Sequence, residues 1–380
     1  MKILKVKTAS GFKMLEPGFE INFLTKTRID KESINDDLIL LEDDLYYPIE
    51  TILIGKNSSG KTTALELLLI AIEILNNGRV EKNHFEFSET FSIEIVFYAN
   101  GVIYKYEGGY SNNTIVEKAC MSITHESLTK TTFKESYKKD LSNASFFKVA
   151  DFKDSIGTDN SRVINCSADG SFNYSLDLLK DKAHYFNLFY TWLGETVFMS
   201  LVRLFDDSVE ILKPVTDTQD LKHSFVFKRI NSKTIIVDSN TLEKLLSKGT
   251  VRGINLYALS LLTFRSGGHL LVDEIEGSFN RNLIENLFVM YKDKSINARG
   301  GSIIYSTHYS ELLDCNNRCD NVNVLHREGD VIKLKNMHSD YNVRTDMIKS
   351  SQFNQNTFDT LVNYDRLMEL KEAIRDSNKA

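Results

Sequence analysis

Apolar positions along the chain fall into two strongly patterned stretches with a polar one between them. At the start, Met1-Lys2-Ile3-Leu4-Lys5-Val6-Lys7 alternates apolar residues with lysine, as a strand does. Tyr47–Ile54 is an apolar, β-branched run of buried-strand length that stops at a Gly-rich turn. Lys61–Asn77 places apolar residues at helical spacing and ends before Gly78, a residue suited to closing a helix. Phe91–Tyr98 and Val102–Tyr106 alternate around Asn100-Gly101, which predicts a hairpin. A second patterned stretch, 234–345, contains the apolar runs Leu270–Val272 and Ser302–Ser306, each short enough to be a buried strand.

Between them, residues 116–233 lose the pattern in polar segments such as Ser136–Asn143 and Asp151–Ser161. One helical block, Leu178–Leu212, carries the only tryptophan, Trp192, so an α-rich insertion or lid is expected there. Residues 346–380 predict a closing helix, about Thr357–Arg375, with Leu361, Tyr364, Leu367, Met368 and Ile374 on one stripe. No repeat and no sustained heptad run occurs, which excludes a long coiled-coil arm. Strands alternating with helices predict an α/β fold, a sheet flanked by helices, assembled from 1–115 and 234–345.

The chemistry lies at the ends of these predicted strands. Gly55-Lys56-Asn57-Ser58-Ser59-Gly60-Lys61-Thr62 matches the phosphate-binding loop G-x-x-x-x-G-K-[ST], with Thr63 next in line. The loop must wrap tightly so that backbone N–H groups point at phosphate oxygens, and Gly55 and Gly60 permit that wrapping. The helix starting near Lys61 adds its positive end, Lys61 a point charge for the β- and γ-phosphates, and Thr62 a hydroxyl for Mg²⁺. A second strand, Gly268–Val272, delivers Asp273 and Glu274 at its C-terminal end, where ligands sit in open parallel sheets. Asp273 is the candidate Mg²⁺ holder and Glu274 the candidate for activating water. Ser302–Ser306 ends at Thr307-His308, where a histidine can reach a γ-phosphate. Finally, Leu246-Ser247-Lys248-Gly249-Thr250 opens the helix before the Asp273 strand; Ser247 can cap it and Gly249 admits a phosphate close to the backbone.

Composition narrows the function classes. A net charge of −6 offers no broad attraction to nucleic acid, and no dense Lys/Arg block demands a local basic strip. No apolar stretch reaches the length of a membrane span, and the start lacks the apolar block of a secretion signal, so a cytoplasmic protein is expected. The four cysteines are too few and too scattered for a disulfide framework, and reduced structural thiols are expected.

These four elements, in this order, resemble the ABC-type ATPase heads of the SMC, RecF and OLD families. Leu246–Thr250 followed by Arg252 resembles the LSxGTxR signature of the OLD-like group labelled AAA-15 or AAA-21, and Asp273-Glu274-Ile275-Glu276-Gly277-Ser278-Phe279 resembles its DEIExxL/F element. Asn280 stands where that group usually has histidine, and the usual Asn-Phe-Arg near the first strand is missing, so no adenine-contacting residue is assigned. The resemblance implies Mg-ATP at Gly55–Thr63, catalysis by Lys61, Glu274 and His308, and a homodimer. In that dimer Ser247, Lys248 and Gly249 of one copy would close on the ATP of the other. A P-loop leaves one face of the γ-phosphate open, which a second helix N-terminus would neutralise. Many OLD-like proteins carry a Toprim nuclease behind the head, but the residues after His308 are too few for one, so any nuclease or toxin effector is expected in trans. The leading expectation is the sensor or regulatory subunit of a bacterial anti-phage system. A RecF-like DNA-repair ATPase is the alternative, and a transporter subunit fits the signature less well.

Overall fold

The computed structural model describes residues 1–10, 12–29, 37–81, 90–112, 120–137, 141, 144–150, 161, 163, 174–175, 182–215, 224–277, 280–358 and 364–377. The chain opens with β1 (Lys2–Ser10), β2 (Glu20–Asn22), β3 (Leu38–Glu42), β4 (Leu45–Pro48) and β5 (Glu50–Ile54), then α1 (Lys61–Asn77). Next come β6 (Thr90–Ala99), β7 (Val102–Ser111), β8 (Ser122–Thr131), β9 (Phe147–Ala150) and β10 (Tyr174–Ser175). The helices α2 (Phe186–Leu193) and α3 (Glu195–Phe205) precede β11 (Val209–Pro214), β12 (Ser224–Arg229) and β13 (Ile235–Asp238). α4 (Ser239–Leu245), α5 (Lys248–Ser266), β14 (His269–Val272), α6 (Arg281–Lys292) and β15 (Ser302–Thr307) carry the later motifs. β16 (Val322–Glu328), β17 (Val331–Asn336), α7 (Lys349–Asn354) and α8 (Tyr364–Ser377) follow.

Two six-stranded sheets sandwich α1. One is antiparallel, in the order β2-β1-β6-β7-β8-β9. The other runs β10-β14-β15-β5-β16-β17 and is parallel except for β17. β5 sits inside this sheet with all five residues buried, which is why its sequence shows no polar alternation. Its strand neighbours alternate between two cores. Leu53, Leu271 and Ile304 face α1 and the antiparallel sheet, whereas Ile52, Ile54, Leu270, Val272, Ile303 and Tyr305 face the core that includes α5 and α6. α1 is buried on most sides, with Leu67, Leu68, Ile70 and Ile74 fully covered, each burial worth roughly 1.5–3 kcal/mol. Gly78, at φ 66, ends it by donating its N–H to Ile74 O.

The two sheets are also pinned at the end away from the P-loop. Lys2, one of the lysines of the N-terminal alternation, is only 4% exposed, and its Nζ donates to Gly268 O at 3.0 Å and Ser302 Oγ at 2.9 Å. Ile3 N donates to His269 Nε2 at 3.1 Å. That bond needs an unprotonated Nε2, and burial, with the Lys2 charge adding to it, pushes His269 well below the usual histidine range.

Several sequence expectations need correcting. Tyr47–Ile54 is not one strand. Pro48 cannot donate to a ladder, so β4 closes a two-stranded hairpin with β3 and β5 begins separately in the parallel sheet. The stretch 116–233 is not α-rich among its described residues. Its described residues carry β8, β9, β10, β11 and β12 as well as α2 and α3, because β-branched and aromatic residues pair there despite the polar surroundings. The helical block Leu178–Leu212 begins, among described residues, with a short turn at Ala183–Tyr185 and stops at Phe205. Asp206 then turns the chain through a side-chain bond to Ser208 N at 3.2 Å. The Asn100-Gly101 hairpin is as expected, both residues having positive φ, 52 and 77. In α8 two members of the predicted stripe are exposed, Leu367 at 42% and Ile374 at 50%, and Met368 is half-buried, while Leu361 lies outside the described residues. Among the described residues, no helix is long and apolar enough to cross a membrane.

Candidate nucleotide-binding site

The loop 55–60 leaves β5 and enters α1 under tight steric control. A Cβ on Gly55 would lie 2.5 Å from Leu325 O, so β16 closes that position to any side chain. Gly60, at φ 98, is left-handed, and its missing side chain makes room for Ile332 of β17. Ser58 is also left-handed, at φ 61. Lys61 folds back over the loop it follows, donating from Nζ to Gly55 O and Lys56 O, both at 2.9 Å. Burial holds its ammonium below the usual lysine range, opposed by the charges of Asp273, Glu274 and Glu276.

The acidic side comes from β14 and β15. Thr62 Oγ1 donates to Asp273 Oδ2 at 2.6 Å, and Ser306 Oγ donates to Asp273 Oδ1. Ser306 Oγ in turn accepts from Glu274 N at 2.8 Å, so one hydroxyl orients both acids. Glu274 has φ 48, a conformation uncommon for a residue with a Cβ and a pointer to local constraint. Its Oε1 lies 3.5 Å from His308 Nε2, and His308 N donates to Glu276 Oε1 at 2.6 Å. Asn280, where histidine is usual in the resembled group, caps α6 by accepting from Asn282 N at 3.0 Å. Ser278 and Phe279 lie outside the described residues.

These groups border one open cleft of about 430 Å³. Asn57, Ser58, Gly60, Lys61, Thr62, Thr63, Asp273, Glu274 and His308 line it. Gly55, Lys56 and Ser59 do not; Ser59 is buried beneath the loop at 3% exposure. Ser247, Lys248 and Gly249 are outside it too. They form the surface start of α5, where Ser247 Oγ accepts from Thr250 N at 2.9 Å as an N-cap. Met14, Arg327 and Ile332 line the cleft and were not singled out in sequence. The Glu328-Gly329-Asp330 turn predicts the β16–β17 hairpin that bears the last two, but no local signal puts that hairpin against the P-loop. Ser306 was likewise legible only as the end of a strand.

A glycine loop between a central parallel strand and a buried helix, with a second strand delivering adjacent acids, defines a P-loop NTPase of the ABC-type head class. The chain belongs to the AAA_21 family, described as "AAA domain, putative AbiEii toxin, Type IV TA system", which it matches over residues 51–314. No curated protein matches it in sequence. Among solved structures it is similar to the SMC head domain from Thermotoga maritima, at 14% identity and TM-score 0.39, over 88% of this chain and 99% of that one. It is similar to an SMC head bound to the C-terminal winged-helix domain of ScpA, at 11% identity and TM-score 0.47, over 88% and 97%. A third is cbiO1 from Clostridium perfringens, part of the ABC transporter complex cbiONQ, at 13% identity and TM-score 0.35, over 98% and 100%. Sheet order and P-loop geometry, rather than these distant likenesses, define the fold.

Proposed function

We propose that this chain binds and hydrolyses Mg-ATP as a head-to-tail homodimer. We further propose that it acts in the cytoplasm as the sensor or regulatory subunit of an anti-phage system, governing a separate nuclease or toxin. The observation that carries the enzymatic reading is the convergence of Lys61, Thr62, Asp273, Glu274 and His308 on one cleft at the N-terminus of α1.

The donor set fits magnesium. A hydroxyl and a carboxylate 2.6 Å apart, Thr62 and Asp273, are hard oxygen groups of the kind Mg²⁺ takes alongside phosphates and water. Held by Thr62 and Asp273, the ion would supply charge neutralisation to the phosphates. The protein's part is positional. Loop N–H groups and the α1 N-terminus cradle the phosphates, and Lys61 exchanges the carbonyls of Gly55 and Lys56 for phosphate oxygens. Glu274, exposed at its carboxylate, orients and deprotonates water, and His308 contacts the γ-phosphate. Ser247, Lys248 and Gly249, on an exposed helix start, would meet the nucleotide of the other copy.

Lys61→Ala should abolish nucleotide binding, and Glu274→Gln should stop turnover while trapping an ATP-bound dimer visible by native mass measurement. Normal hydrolysis by the Glu274→Gln protein would remove Glu274 from its role. The regulatory half is supported by the toxin–antitoxin wording of the family description. Its test is co-purification with the product of a neighbouring gene. Purification alone, with phage sensitivity unchanged on deletion, would refute it.

A further inference from the structure

α5 connects two places that the proposed dimer uses at once. Its N-terminus, capped by Ser247, is at the surface, and its body runs through the core with Val251, Ile254, Leu256, Ala258 and Leu259 buried. Early in the helix, Arg252 reaches to the acidic loop. Its Nη2 donates to Asp273 O at 2.8 Å and to Glu274 O at 2.9 Å. The loop is shaped around this guanidinium. A Cβ on Gly277 would come within 2.8 Å of Arg252 Cζ and 3.0 Å of both terminal nitrogens. Gly277 N closes the turn by donating to Glu274 O at 2.9 Å, and Ile275 N donates to Ser306 O at 3.1 Å. Among the described residues Arg252 Nε is buried without a hydrogen-bond partner, while Nη2 of the same fork is held by the two loop carbonyls.

A displacement of the start of α5 therefore passes through one side chain to the two carbonyls that flank Glu274. Glu274 is already constrained there, with φ 48 and its N–H on Ser306 Oγ. We infer that Arg252 is a positioning residue that couples the start of α5 to the Glu274 loop of the same protomer. A terminal phosphate held on the partner's P-loop and engaged at Ser247–Gly249 would thereby set the hydrolytic geometry of this protomer's own site. The inference rests on the proposed ATP-sandwich dimer and adds to it the side chain that carries the coupling between its two sites. Because the two copies of the proposed dimer are equivalent, the same contact acts in each protomer and the coupling runs both ways.

The test uses the full-length protein and two variants that perturb the contact from opposite sides. Arg252→Ala deletes the guanidinium, and Gly277→Ala keeps it but displaces it. For each, ATP affinity is measured by equilibrium titration, turnover by steady-state kinetics across ATP concentration, and folding by thermal melting. Wild type should hydrolyse ATP cooperatively. Both variants should keep wild-type affinity and melting, lose kcat by about 10–100-fold, as removal of an orienting partner does, and show a Hill coefficient of about 1. The inference is overturned if Arg252→Ala keeps wild-type kcat and cooperativity. It is equally overturned if affinity, kcat and melting fall together, since that is structural damage without coupling. A wild type that binds ATP without dimerising or hydrolysing it overturns the proposed function itself, a result distinct from either.

Discussion

Replacing Gly60 with alanine tests whether the β16–β17 hairpin shapes the P-loop from below. The added methyl would lie 2.5 Å from Ile332 Cδ1 and 2.7 Å from Cγ2, on a backbone at φ 98. The left-handed backbone costs a residue with a Cβ about 1–3 kcal/mol. Overpacking against Ile332, which is fully buried, adds about 1–3 kcal/mol. Ile332→Ala alone should cost about 2–5 kcal/mol through the cavity it leaves. In the double variant the new methyl enters that cavity, so the overpacking component vanishes and only the backbone strain remains. The pair should therefore be less destabilised than the sum of the singles by about 1–3 kcal/mol. Denaturant unfolding followed by circular dichroism gives the four stabilities, and ATP titration of the same proteins should rank in the same order. Strict additivity, within about 0.5 kcal/mol, would refute a Gly60–Ile332 contact as what shapes the loop.

Three further outcomes are expected. Gly101→Ala should cost only about 1 kcal/mol, the strain of its positive φ, because nothing lies within 4 Å of the added Cβ; a larger shift in denaturation midpoint would mean the turn is packed. Thr62→Val should leave metal-free ATP binding intact and lose the gain in affinity on adding Mg²⁺, read by calorimetry with and without the metal. Stability should fall with acid below the ordinary histidine value of 6.5. Folded His269 stays neutral there while the unfolded chain takes up the proton, a slope of up to about 1.4 kcal/mol per pH unit. His269→Gln should flatten that slope in denaturation midpoints taken from pH 8 to 5.

Much of the site was legible because its chemistry is local. The P-loop, the Asp273-Glu274 pair and His308 each follow a buried strand within a few residues, so short-range pattern and residue type were enough. What escaped was decided at long range. The alternation at Met1–Lys7 marks a strand but not the burial of Lys2, which is possible because Gly268 O and Ser302 Oγ supply acceptors from the far part of the chain. Met14, Arg327 and Ile332 reach the cleft only through the register of β16 on β5 and the bridge between Leu15 and Ile332. Ser306 orients both acids because β15 lies beside β14. The polar composition of 116–233 hid its strands, since pairing there is decided by neighbours rather than by propensity.

The position of β5 between β15 and β16 has a consequence for how the chain is made. The strand that launches the P-loop leaves the ribosome well before its two lateral partners, which are encoded by residues 302–328. At ordinary elongation rates it waits roughly 10–50 s with both edges unsatisfied. A nascent fragment that stops short of those residues has the whole glycine loop and nothing to hold it open. Nucleotide capture thus waits until residues 302–328 have been made, and chaperones would have to shield an apolar edge until then.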